Sequence, residues 1–176
     1  MTPATALGAR ALDVWLAELR LSPAEAAERD GVVSRDIVVD GRRRGGIRIT
    51  LILAPDVGLV AWVHYAPPLA DGFRKTYQQL LKWNDELPFV KFALADDERV
   101  VLSAELPAAG LDRDSVGRTV ARLVAVCDLL AEPSARWLER GPSPPRTPEP
   151  GVVRPHALLD RYAADLAELA PTEEAP

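Results

Sequence analysis

The sequence has few of the residues that build metal or redox sites. It contains one cysteine, Cys127, and two histidines, His64 and His156, which lie far apart. A single thiol cannot form an internal disulfide, and nothing indicates an oxidising compartment. Two distant histidines also lack the short spacing of zinc ligands. We therefore expect no bound metal.

Positive charge and long apolar runs are also scarce. The net charge is -5 and the isoelectric point is near 5.1, so the overall field repels both nucleic acid and anionic membranes. No apolar run is long enough to cross a bilayer, and the N-terminus lacks a basic segment followed by an apolar core. We expect a cytoplasmic protein that does not bind membranes.

The hydrophobic pattern changes repeatedly between the helical period and the strand period. Helical spacing occurs near residues 12–19, 73–87 and 116–140, and alternation near residues 37–39, 47–53, 59–65, 89–94 and 100–106. Residues 23–29 follow Ser22 and begin with Pro23, which favours one or two helical turns. The main order α-βββ-α-ββ-α predicts an α+β fold, a two-layer α/β sandwich with a mainly antiparallel five-stranded sheet.

The C-terminal part differs from the rest in composition. Residues 141–155, GPSPPRTPEPGVVRP, are dense in proline and predict a linker. Beyond them, apolar residues fall at helical spacing: Leu158, Leu159, Tyr162, Leu166 and Leu169. We expect a domain at 1–140, a linker at 141–155, and an amphipathic helix and tail at 156–176. Because so short a helix is unstable alone, it should dock on its own subunit or across a dimer.

Polar residues cluster in the segment LLKWNDELPFVKFAL, residues 80–94. Asp85 and Glu86 could act as an acid–base pair, but adjacent residues in one turn do not face each other. Asn84 tolerates the backbone of a helix end, and Pro88 cannot continue a helix. The pattern favours a structural helix stop.

Arg42, Arg43 and Arg44, followed by two glycines, form the one basic cluster. They could contact the phosphates of a nucleic acid. They could equally be a solvated hairpin tip that prevents edge pairing, and the acidic composition favours this second interpretation.

The remaining chemically active residues show no catalytic pattern. His64 lies on the third strand without a nearby nucleophile, and Cys127 lies on the apolar stripe of the last helix. No serine has a G-x-S-x-G context, and no phosphate-binding glycine loop occurs. We expect no catalytic residues and no enzyme activity.

Apolar residues on both faces of the third and fourth strands predict a second covered face. Trp62 and His64 are predicted on the face opposite the helices, and so, depending on the twist of the sheet, are Trp83 and Phe92. A partner helix or another subunit would cover them, and the C-terminal helix is one candidate. The predicted protein-binding residues are Trp62, His64, Trp83, Phe92, Leu159, Tyr162 and Leu166.

The run LLKWNDELPFVKFALADDERVVLSAELPAAGLD resembles the YbjN family, which shares its fold with type III secretion chaperones. The likeness spans roughly residues 10–140 and is strongest at 80–111. Its hallmarks are a helix ending in asparagine, a proline before a hairpin, an acidic turn and the exit V-x-L-x-x-x-L-P-x-x-G-L. The matching positions are Asn84, Leu87, Pro88, Phe92, Leu94, Val100, Leu102, Leu106, Pro107, Gly110 and Leu111.

The resemblance implies a homodimeric bacterial protein that binds other proteins, without enzyme activity or cofactor, in a stress-related or regulatory role. The leading hypothesis is a chaperone-like adaptor that holds a segment of a protein client. The alternative is a regulator that contacts nucleic acid through Arg42, Arg43 and Arg44.

Overall fold

The computed structural model describes residues 8–54, 56–69, 74–135 and 156–169. Its elements are α1 (Ala9–Glu18), β1 (Pro23–Arg29), β2 (Val32–Val39), β3 (Ile47–Ala54), β4 (Gly58–Ala66), α2 (Arg74–Glu86), β5 (Lys91–Leu94), β6 (Val100–Pro107), α3 (Arg113–Leu129), α4 (His156–Arg161) and a 3-10 turn (Ala167–Leu169). The predicted linker at 141–155 lies outside the described residues.

The strands form one antiparallel sheet in the order β1-β2-β3-β4-β6-β5. The α+β class is confirmed, but the predicted count of five strands is wrong because the sheet has six. Connections between neighbours are hairpins, except that β4 reaches β6 across α2 and β5. This crossing places β5 at one edge and β1 at the other.

The additional strand is β1, which the sequence predicted as a short helix. Its residues pair with β2 through a two-residue turn, in which Asp30 has φ 51° and Gly31 has φ 78°. Positive φ at both positions is the geometry of a tight hairpin turn, for which Asp-Gly is a favoured pair. Every residue of β1 is exposed, so its helix-forming composition is overridden by pairing with β2 and not by burial.

One face of the sheet carries the core. Ile49, Leu51, Val63 and Leu102 lie on this face and are completely or almost completely buried. The helices α1, α2 and α3 pack on the same side and share one continuous apolar cluster with these strands. The molecule is therefore a two-layer sandwich with one face of the sheet free of α1, α2 and α3.

Helix α3 begins with a capping box and is followed by a series of turns. The Asp112 side chain accepts a hydrogen bond from the Ser115 backbone N–H, and the Ser115 hydroxyl accepts one from the Asp112 backbone, which makes a capping box. The helix ends at Leu129, residues 130–134 are turns and residue 135 is helical again, so these turns interrupt the predicted helix toward residue 140. Pro133 cannot donate a helical hydrogen bond, which accounts for the turns.

Candidate protein-binding surface

The open face is the side of the sheet opposite α1, α2 and α3. Trp62 pairs with Thr50 on one side and with Ser103 on the other, so its side chain leaves the sheet on this face. It is 37 % exposed, whereas Tyr65 on the same strand is fully buried. Ile52 and Val60, a directly opposed pair, lie beside it and are half-buried. The predicted position of Trp62 agrees with this register.

The centre of the open face is an apolar patch. It consists of Trp62, the half-buried Ile52 and Val60, and the buried Val101, on the strands β3, β4 and β6. Among the described residues, the helices contact the inner face or each other, and none of them lies over this patch. An apolar patch of this kind, with a tryptophan at its centre, is typical of a surface that contacts another molecule.

A polar network borders the patch. His64 Nε2 lies 3.0 Å from Thr50 Oγ1, and His64 Nδ1 lies 3.2 Å from Arg99 Nη1. Arginine only donates, so Nδ1 must accept and the ring proton belongs on Nε2, which donates to Thr50. Arg99 also binds Asp97 at 2.5 Å, and on the neighbouring strands Arg48 binds Asp36 at 2.9 Å. The predicted lone histidine is therefore fixed in its neutral form by hydrogen bonds.

The position of His64 determines its charge. Burial, followed by the positive charges of Arg99 and Arg48, lowers the pKa of His64 below its usual 6.5, against the opposing effect of Asp36 and Asp97. A protonated ring would lose its acceptor nitrogen and face the guanidinium of Arg99 directly. Acid is therefore expected to disrupt the network beside Trp62.

We expect the protein to lose stability as the pH falls below 6.5. The pKa of His64 is lower in the folded chain than in the unfolded one, so the unfolded state binds more protons in this window. The stabilisation is present above pH 6.5 and disappears as the pH falls through the folded-state value. Urea titrations at about pH 7.5 and about pH 5.5 should show a larger loss for the wild type than for His64→Gln, which takes up no proton. Equal losses in the two proteins would contradict this prediction.

Trp83 and Phe92 do not lie on the open face, contrary to prediction. Their side chains are 6 % and 7 % exposed, and their ring centroids are 5.7 Å apart. Phe92 pairs with Leu102, whose side chain is on the inner face, and its ring contacts Tyr65 edge-on at 5.0 Å. Helix α2 lies on the same side of the sheet as α3, so its apolar stripe with Trp83 is directed into the core. Both residues are core residues.

The arginine cluster is not a free hairpin tip, which corrects the favoured interpretation. Residues 40–46 connect β2 to β3, and three successive backbone N–H groups of this loop donate to the carboxylate of Asp128. The distances to its oxygens are 2.6 Å from Arg42, 2.9 Å from Arg43 and 3.0 Å from Arg44. The loop wraps the end of α3, and a carboxylate holds its backbone.

Two of the three arginine side chains also have partners within the chain. Arg44 donates to the carbonyl oxygen of Tyr65 at 2.6 Å, and its guanidinium stands 4.7 Å from the centre of the Tyr65 ring. Arg42 pairs with Asp160 at 2.7 Å, while Arg43 is exposed. The arrangement gives the loop a structural role, and the alternative of nucleic-acid contact stays a prediction.

The C-terminal segment docks on its own chain. Leu158, Leu159 and Tyr162 are at most 7 % exposed, and Leu166 is partly buried against the same core cluster. The contacts are made with α3, on the side of the helical layer away from the sheet. Leu159, Tyr162 and Leu166 were predicted to bind protein, and the structure places them here in contact with their own subunit, away from Trp62.

The polar cluster of residues 84–86 contains a contact that sequence reasoning did not identify. Helix α2 continues through Asn84 to Glu86, so asparagine is not its last residue. The Asn84 side chain accepts from Phe92 N at 2.5 Å and donates to Phe92 O at 3.1 Å. This pair of hydrogen bonds joins α2 to the edge strand β5. Asp85 and Glu86 are exposed at the end of α2, which agrees with the helix stop favoured by the sequence over an acid–base pair.

Cys127 lies in the core, as its place on the stripe of α3 predicts. It is 0 % exposed, and burial raises the pKa of its thiol to about 12. A thiol with such a pKa is a poor nucleophile at neutral pH. Among residues 8–54, 56–69, 74–135 and 156–169, no cluster of histidine, cysteine or acidic side chains could hold a metal ion.

The domain that carries these surfaces matches a known family. Residues 9–133 match the YbjN model, described as "Putative bacterial sensory transduction regulator". This chain belongs to the YbjN family. The match includes the Asn84 contact, the arginine loop with Asp128 and the whole sheet, and the docked segment at 156–169 lies beyond it. The resemblance carried by residues 80–111 is thereby confirmed.

Two solved structures are similar to this YbjN-family chain. A chain in the crystal structure of the ExsC–ExsE complex has 20% sequence identity and a TM-score of 0.49, covering 70% of this chain and 90% of its own length. A chain of the heterodimeric ExoU–SpcU complex, from the type III secretion system of Pseudomonas aeruginosa, has 22% identity and a TM-score of 0.47. That likeness covers 74% of this chain and 99% of the other.

No curated protein matches the sequence. Within the described part of the chain, none of the helices combines the length and the apolar character needed to cross a bilayer.

Proposed function

We propose that this protein is a non-enzymatic, chaperone-like adaptor that binds a segment of a protein client on its open face. The observation that supports this most directly is Trp62, which is 37 % exposed at the centre of the sheet. Buried tryptophans dominate the energetics of many protein interfaces, and a half-exposed one flanked by aliphatic side chains can be buried by a partner. Ile52 and Val60 provide that flank.

The composition of the open face fits this role. Its apolar centre is bordered by charged and hydrogen-bonding groups, among them His64, Arg48 and Arg99, and a polar rim around an apolar core is the usual anatomy of an interface. The family description supports a regulatory role. Homodimerisation, a cytoplasmic location and a link to stress responses belong to the same proposal.

Replacing Trp62 with alanine should weaken client binding by at least about tenfold, because such an anchor typically contributes about 2 kcal/mol or more. A photo-crosslinking residue at position 60, on the open face, would first capture the client from cell extract. Titration calorimetry with the purified client would then compare the wild type with Trp62→Ala. Because Trp62 lies outside the core, the variant should keep its melting temperature within a few degrees.

The matched control is Val57, which is 72 % exposed in the turn between β3 and β4. Val57→Ala should bind the client as the wild type does, and a crosslinker at position 57 should capture less. Equal capture at positions 57 and 60, or equal affinity of Trp62→Ala and Val57→Ala, would reject the open face as the binding surface. Light scattering on the same samples tests the homodimer, which predicts twice the chain mass.

A further inference from the structure

The segment 156–169, here called the tail, covers a groove on the outer side of α3. Three apolar side chains, Leu158, Leu159 and Tyr162, are buried in it, although the helix α4 that carries two of them has only six residues. Gly117 makes the deepest part of the groove. A Cβ atom at Gly117 would lie 2.3 Å from Tyr162 Oη and 2.8 Å from Leu19 Cδ2. The absence of a side chain at Gly117 therefore leaves the space that the Tyr162 ring occupies, here called the tyrosine seat.

Glycine inside a helix requires an explanation. It destabilises a helix interior by about 1 kcal/mol relative to alanine, and nothing in the conformation of α3 demands it at position 117. The space that it leaves is filled by Tyr162, whose hydroxyl donates to Asp114 Oδ1 at 3.0 Å. Position 117 is thus adapted to an aromatic side chain that arrives from outside the helix.

Charge complementarity surrounds the apolar contact. The tail presents acids to arginines of the domain: Asp160 to Arg42, Asp165 to Arg118, and Glu168 to Arg122. A fourth pair has the opposite sense, Arg161 with Asp114. In a chain whose net charge is negative, the groove is therefore lined by positive charge and selects an acidic helix.

Apart from the three buried apolar side chains, the contacts that hold the tail contribute little. A helix of six residues is not stable by itself, and exposed ion pairs contribute about 0–1 kcal/mol each and are screened by salt. The groove lies within the matched family domain, whereas the tail lies beyond residue 133. Because the tail is covalently connected to the domain, it can occupy the groove even with a low affinity. Such a connection typically gives an effective concentration of about millimolar. A free helix of higher affinity could take its place.

We propose that the α3 groove is a docking site for an acidic amphipathic helix, and that the tail is its intramolecular ligand. The site accepts two adjacent leucines, a carboxylate directly after them, an aromatic residue three positions after the second leucine, and carboxylates beyond the aromatic residue. A partner helix with this pattern binds by displacing the tail. The groove lies on the opposite side of the helical layer from Trp62 and is separate from the open face.

A labelled peptide with the sequence of residues 156–169 is the probe, and four full-length proteins are compared by fluorescence anisotropy. The wild type should bind weakly because its own tail fills the groove. The double variant Leu159→Ser/Tyr162→Ala releases the tail and should bind at least about tenfold more tightly. Adding Gly117→Ala to that variant fills the tyrosine seat and should reverse the gain, although alanine favours the helix. Ala164→Ser, at an exposed position of the tail, should behave as the wild type.

The salt dependence of peptide binding and the mass of the protein in solution complete the test. Binding to the double variant should weaken as salt is added, because three acid–arginine pairs form. Unchanged peptide affinity in the double variant, or tight binding that survives Gly117→Ala, would overturn the proposal. A change from dimer to monomer on releasing the tail would also overturn it, since the tail would then be exchanged between subunits. Trp62→Ala should not alter peptide binding, so the two proposals can fail separately.

Discussion

Replacement of Asp128 by alanine should lower the free energy of unfolding by about 3 kcal/mol or more. The carboxylate accepts three successive backbone N–H groups of residues 42–44, and it is 8 % exposed. Hydrogen bonds to a charged acceptor are stronger than neutral ones, and the loop has to rearrange to satisfy the three donors otherwise. Urea denaturation followed by circular dichroism would measure the loss.

The matched control for this variant is Glu132→Ala. Glu132 is an exposed acid one turn beyond Asp128, so the change in net charge is the same and the expected cost is within about 0.5 kcal/mol. Gly41 provides a second check, because a Cβ there would lie 2.2 Å from Asp128 Oδ1. Gly41→Ala should destabilise the wild type and cost less in the Asp128→Ala background. Equal costs for Asp128→Ala and Glu132→Ala would show that the loop does not depend on the carboxylate.

The part of the fold that follows from the sequence is the part with one-sided burial. Ile49, Leu51 and Val63 occupy alternate positions and are fully buried, while their neighbours reach the open face. A strand buried on one side must show the period of two, and a helix such as α1 that packs on it must show the helical period. The alternation therefore predicts both which residues form the core and that Trp62 lies on the open face.

Strand β1 could not be recognised in this way. All its residues are exposed, so the sequence PAEAAER has no buried face and no alternation, and its composition favours a helix. The available signal was the dipeptide Asp30-Gly31, whose turn geometry requires positive φ at both residues. The pairing with β2 outweighs the helix propensity of β1. This pairing cannot be inferred from the residues of β1 themselves.

The side of the sheet on which α2 packs is determined by the pairing of distant strands. The stripe of α2 predicts that Trp83 is covered, but it does not specify whether the core or the open face covers it. The register Phe92 with Leu102 fixes the side, and this register depends on β6 crossing to pair with β4. The error in placing Trp83 and Phe92 on the open face follows from that missing information.

The polar contact between Asp128 and the arginine loop is also long-range. Asp128 lies more than 80 positions from its partners in the arginine loop. A signal for it does exist in the sequence: a carboxylate in the last turn of a helix is unfavourable, because the helix dipole is negative there. An acid at this place, directly after the buried Cys127, indicates that donors arrive from elsewhere in the fold.

Removal of the Asn84 side chain should lower the free energy of unfolding by about 2 kcal/mol and loosen the edge strand β5 first. The Asn84 amide makes two hydrogen bonds with the backbone of Phe92, replacing the partner that an edge strand lacks. Alanine gains helix propensity at this position of α2, so the measured loss understates the strength of the contact. Hydrogen exchange should show the Phe92 amide protected in the wild type and fast in Asn84→Ala.

Two variants separate this contact from other effects of the cluster. Asn84→Asp keeps an acceptor for Phe92 N, cannot donate to Phe92 O and places negative charge beside that carbonyl, so it should also destabilise β5. Asp85→Ala changes the exposed neighbouring residue and should leave both stability and exchange unaltered. If Asp85→Ala destabilised as much as Asn84→Ala, the carboxylates of residues 85–86 would have a role that their exposure does not explain. If only Asn84 is sensitive, the conspicuous cluster in LLKWNDELPFVKFAL holds a strand in place, which leaves the open face and the α3 groove as the surfaces that we propose for binding.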